Sequence, residues 1–140
     1  MKRIIAVFLT LACITALLAA CSDTSPKQAF EPTEVENVSI SISDVSPTGA
    51  TVTIKDTNAE PYMYGEWYAI EKENGGTWIR VEPIIDNYGF TMIGYLPDEN
   101  DEVVFDLNWE WLYGKLPKGS YRLLKRVDDK YISVTFDLAE

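Results

Sequence analysis

An antiparallel β-sandwich is the fold this sequence predicts, and three observations predict it. Apolar and polar residues alternate with period two from Asn37 onward, turn chemistry separates the alternating runs, and only one short stretch has helical phase. Alternation of this kind marks strands with one buried and one solvated face.

In the first run, "VSISIS" (38–43), Val38, Ile40 and Ile42 alternate with serines. In the second, "TVTIK" (51–55), Val52 and Ile54 alternate with threonines and Lys55. Between them lies "SPTG" (46–49), where proline presets one turn dihedral and glycine permits the other. Further strands are expected at Glu66–Lys72, Thr77–Glu82, Tyr88–Tyr95, Glu102–Leu107, Ser120–Asp128 and Tyr131–Leu138. The last alternates most cleanly, with Ile132, Val134, Phe136 and Leu138 on one side and Tyr131, Ser133, Thr135 and Asp137 on the other. "ENGG" (73–76), "PDEND" (97–101) and Asp128-Asp129 supply turns. In "NWEWLYG" (108–114), Trp109, Leu112 and Tyr113 share a helical face at i, i+3 and i+4, which leaves Trp111 off it. The sum is an all-β domain of seven or eight strands.

One motif sharpens this to an immunoglobulin-like sandwich. "LPKGSYRLLK" (116–125) puts Gly119 two residues before Tyr121 at the start of a late strand. That is the setting of a tyrosine corner, whose hydroxyl bonds backbone a few residues upstream. On "PYMYGEWYAIEKENGGTWIRV" (61–81), "YGFTMIGY" (88–95) and "WEWLYGKLPKGSYRLLK" (109–125), the chain resembles the bacterial immunoglobulin-like domain of lipoproteins and sensor-type membrane proteins, found mainly in Gram-positive bacteria. With the first two strands, the resemblance covers about Val38 to Leu138. It implies an accessory extracytoplasmic domain and supplies no catalytic residues.

The N-terminus addresses the chain. Met1-Lys2-Arg3 is followed by an uncharged apolar run from Ile4 to Ala20, the pattern of a secretory signal peptide. At about 17 residues the run also lies at the lower limit for a spanning helix. Leu18-Ala19-Ala20-Cys21 separates the two readings, because it looks like a bacterial lipobox. That resemblance implies cleavage before Cys21 and acylation of its thiol, palmitate being one such chain, which would hold the protein on the extracytoplasmic face of the cell membrane. Several acyl chains anchor firmly where one is marginal. Cys13 leaves with the signal, so no disulfide is expected. "SDTSPKQAFEPTEVE" (22–36), polar and with two prolines, reads as a disordered tether. The expected organisation is signal peptide 1–20, acylated Cys21 and tether 21–36, and sandwich 37–140.

Composition narrows the function. Net charge is −10, and loss of Lys2 and Arg3 takes it to −12, so a nucleic-acid partner is not expected. The chain has no histidine, and after processing only the acylated cysteine, which removes Ser-His and Cys-His nucleophile systems and the usual zinc sites. No catalytic residue, metal or cofactor is assigned. A small hydrolase working through carboxylates such as Glu66 or Asp86 remains as an alternative. So does a calcium-stabilised spacer built on "PDENDE" (97–102), which lacks the spacing and central glycine of an EF-hand loop. The expected role is non-catalytic, binding or structural. An envelope protein or wall polymer is the candidate partner, and Trp67 and Trp111 are the candidate contacts because strand parity and helical phase place them off the core faces.

Overall fold

The computed structural model describes residues 27–139. The signal peptide, Leu18, Ala19, Ala20 and Cys21 lie outside the described residues. In chain order the elements are β1 (Val38–Ser46), β2 (Gly49–Asp56), β3 (Tyr64–Gly65), β4 (Tyr68–Asn74), β5 (Thr77–Arg80), β6 (Gly94–Tyr95), β7 (Glu102–Asn108), α1 (Glu110–Tyr113), β8 (Gly119–Val127) and β9 (Lys130–Leu138). All pairings are antiparallel, in three sheets of order β1-β2-β7, β5-β4-β8-β9 and β3-β6.

The two larger sheets enclose one core. Val52 and Ile54 from β2, Val103 and Phe105 from β7, Ile70 from β4, Leu123 from β8 and Ile132 and Phe136 from β9 meet there. Each inward residue is two positions from the next, so period two in sequence becomes one apolar face per strand. Gly49 lets β2 approach β7, because a Cβ there would stand 2.3 Å from the Leu107 carbonyl oxygen. Trp109 is wholly buried, stacks on Phe136 at 5.6 Å and donates its indole N–H to the Pro47 carbonyl at 2.9 Å. One short helical turn thereby plugs the end of the sandwich and satisfies its own polar atom.

Along one side, β1 and β9 close the sandwich. On the other side, between β4 and β7, the connection from β5 to β7 does the closing. The segment Tyr88–Tyr95 was expected as a strand, and this is corrected: only Gly94 and Tyr95 pair, with β3. Asn87 has φ 55, which breaks the extended backbone. Phe90 turns inward to Tyr68 at 5.2 Å, and Tyr95 meets Phe105 edge-on at 5.6 Å. These aromatics cap an open sandwich side instead of joining a ladder.

A second correction concerns the tether. Residues 30–36 are packed chain, not a free linker. Val35 is only 7% exposed and belongs to the core. The Thr33 amide donates to the Tyr131 carbonyl at 2.8 Å. Two apolar residues, Phe30 and Val35, have sites waiting on the sandwich, and that outweighs the polar, proline-containing composition that suggested disorder.

Candidate functional site

The outer face of the β5-β4-β8-β9 sheet carries Ala69, Glu71, Arg80, Arg122, Leu124 and Tyr131, all of the parity opposite to the core. Leu124 and Ala69 are nevertheless buried, because residues 27–36 cross this face as a strap. The Phe30 amide donates to Glu71 Oε1 at 2.6 Å, and Arg122 Nη2 donates to the Phe30 carbonyl at 2.9 Å. Arg122 Nε also donates to Glu71 Oε2 at 2.5 Å. The Phe30 ring sits 4.8 Å from Tyr131 and 5.5 Å from Trp67, with the Arg80 guanidinium 3.7 Å above it. Lys27 ends the strap in an exposed ion pair with Glu82 at 2.8 Å.

Trp67 therefore differs from expectation. Parity does place it off the core, but Phe30 and Tyr131 cover it, and it is half-buried. Trp111 does stand out, at 45% exposure, packed over Phe90 at 6.1 Å. Trp67 is therefore not the exposed contact that Trp111 is.

Beside the end of the strap, a cleft of about 100 Å³ is lined by Lys27, Phe30, Trp67, Arg80, Tyr88 and Phe90, among others. Two buried polar atoms among its lining residues, Tyr68 Oη and Arg80 Nε, have no hydrogen-bond partner among the described residues. Burial pushes the Tyr68 phenol up to about 12, while the indole of Trp111 beside it, short of hydrogen-bonding geometry, pulls the other way. From this cleft an apolar rim continues through Ile84, Ile85, Tyr88, Met92, Ile93 and Leu96, all exposed.

Tyr121 donates its hydroxyl to the Pro117 carbonyl, four residues upstream, at 2.6 Å. Gly119 has φ 151, and a Cβ there would stand 2.8 Å from Lys72 Cε and 3.6 Å from the Tyr121 ring. Glycine thus suits this backbone conformation and the close approach of Lys72, while the Tyr121 ring stands at ordinary contact distance.

Three buried ionisable residues went unremarked in the sequence. Lys125 is wholly buried, donates to the Gly65 carbonyl at 2.6 Å and lies 3.6 Å over the Phe105 ring. Burial lowers its ammonium to about 8, partly opposed by the charge of Glu66. Asp56 accepts from the Asn58 and Tyr62 amides, the Asn58 side chain and the Tyr64 hydroxyl. Burial pushes its carboxyl up, but these hydrogen bonds outweigh burial and hold it below the usual range. Glu71 is the third, held under the strap.

For acid–base chemistry the geometry offers little. Glu66 accepts from the Tyr95 hydroxyl at 2.6 Å, and Asp86 is exposed. Asp98 turns its carboxylate onto the Asn100 and Glu102 amides, which hold its carboxyl below the usual carboxylate range and occupy it as a turn cap. Among the described residues, no three Asp, Glu or Cys side chains converge where a metal ion could be held.

These features define a disulfide-free immunoglobulin-like β-sandwich. Residues 34–137 match the bacterial Ig-like domain family, and the chain belongs to it. No curated protein and no solved structure matches the chain. Domains of this family are in general non-catalytic extracellular modules.

Proposed function

We propose that this protein is a lipid-anchored immunoglobulin-like module on the extracytoplasmic face of the cell membrane, with a non-catalytic binding or structural role at the cell envelope. The observation that carries the reading is the position of Leu18-Ala19-Ala20-Cys21, which ends an apolar leader a few residues ahead of the strap. Acylation of Cys21 supplies the anchor. The exposed edge around Trp111 and residues 84–96 supplies the contact surface, in place of the Trp67/Trp111 pair. A run of exposed apolar side chains of this kind on an acidic domain supports the reading of a contact surface.

The experiment is detergent phase partitioning of wild type against Cys21→Ser. Wild type is expected in the detergent phase at the mature mass, and Cys21→Ser is expected to keep its leader. Mature-size protein in the aqueous phase for both would refute the anchor.

A further inference from the structure

Along the edge formed by residues 84–96, "IIDNYGFTMIGYL", Phe90 turns inward but most of the other apolar side chains are left exposed by the described residues. Met92 is fully exposed, with Ile93, Leu96 and Ile84 all more than half exposed. Met63 joins them, its thioether lying against Gly94. From Asn87 to Leu96 there is no Asp, Glu, Lys or Arg, in a chain of net charge −10.

We propose that this edge rests in the headgroup–acyl boundary of the bilayer that holds Cys21, as a second membrane contact. The proposal rests on the lipid-anchor reading of Cys21. Three observations select lipid as the occupant. First, the chain leaves the sandwich at the root of this edge: Lys27 pairs with Glu82 and lines the same cleft as Tyr88 and Phe90. Second, the docked strap leaves only six residue steps from Cys21 to Lys27, a covalent reach of at most about 20 Å. A domain held that closely brings its exit side to the headgroups. Third, Asn87 to Leu96 carry no charged side chain in a chain of net charge −10, so this stretch adds no repulsion of its own toward anionic lipid.

The chemistry of the edge suits that depth. Met, Ile and Leu side chains gain by entering the acyl boundary, and Tyr88 and Trp111 have the amphipathic rings that settle at headgroup level. Tyr88 to Ile93 belong to no strand or helix, so their backbone relies on water and enters no deeper than the interface.

The test uses the full chain, purified from membranes and reconstituted into phosphatidylcholine vesicles with brominated acyl chains, which quench tryptophan on contact. Met92→Trp places a probe on the edge. Ser43→Trp places one on β1, the strand at the opposite border of its sheet. The added emission at 92 is expected to be largely lost in brominated vesicles and that at 43 retained. Unquenched emission at 92, or equal loss at both positions, overturns the proposal. So does emission at 92 that ignores lipid but shifts to the blue on adding solubilised envelope proteins, which would assign the edge to a protein partner. The two failures are distinguishable. Mature-size protein in the aqueous phase for wild type and Cys21→Ser sinks the anchor and the edge with it, whereas an acylated chain with no quenching at 92 sinks the edge alone.

Discussion

Arg122 and Glu71 meet at 2.5 Å across β8 and β4, and together they hold both backbone polar groups of Phe30. An ion pair on the outer face of a sheet ordinarily adds little, because water competes for it. Here the strap covers it. Glu71 is wholly buried, and each partner spends one remaining hydrogen bond on the strap rather than on solvent.

Removing one member of such a pair leaves a buried charge. Glu71→Ala is expected to destabilise by about 3 kcal/mol and to free the strap. Hydrogen exchange at the Phe30 amide reads the second effect separately from the first. Faster exchange at Phe30 and Thr33, with the β8 amides still protected, is the expected pattern. Unchanged protection at Phe30 would mean the pair does not hold the strap.

Tyr121→Phe removes the donor to the Pro117 carbonyl without changing the ring. Loss of that hydrogen bond is expected to cost about 1–3 kcal/mol. Chemical denaturation measures it, and an unchanged midpoint would leave the hydroxyl without a structural role. Gly119→Ala is expected to destabilise as well, through its positive φ and the approach of Lys72.

Burial of Lys125 predicts a pH dependence. Its folded value of about 8 lies below the ordinary 10.5, so between these values the unfolded chain binds more protons and stability rises with pH. From pH 8 to 10 the gain is expected to reach about 2 kcal/mol. Above pH 10 the trend reverses. Burial holds the Tyr68 phenol near 12 and those of Tyr64 and Tyr113 above the usual range, so there the folded chain keeps protons that the unfolded chain loses. Denaturation midpoints across pH 7 to 11 trace both limbs. Lys125→Met is expected to flatten the first limb and keep the second; a wild-type profile flat from 8 to 10 would contradict the burial argument.

Strand parity alone reaches much of this molecule. Tyr121, Leu123, Lys125 and Val127 share one parity, as do Val52, Ile54 and Asp56, so the inward direction of Lys125 and Asp56 was legible from neighbours in sequence. The partner of Lys125, Gly65, comes from another part of the chain and leaves no local pattern, whereas Asp56 caps the turn that directly follows it, at Asn58, Tyr62 and Tyr64. Glu71 and Trp67 show the limit of parity. Both point away from the core as the alternation requires, and both are covered by a segment whose polar, proline-containing composition gives no sign of docking. The edge at 84–96 was visible as an apolar run, but period two could not distinguish a strand from a loop closing the β4/β7 side. Helical phase did place Trp111 on the surface.

The most direct test of the account is the intact mass of the native protein extracted from membranes, with sequencing of its N-terminal peptide. Cleavage before Cys21, with acyl chains on that residue, is the predicted result. A chain that begins elsewhere, or a Cys21 with a free thiol, would contradict a lipid-anchored module.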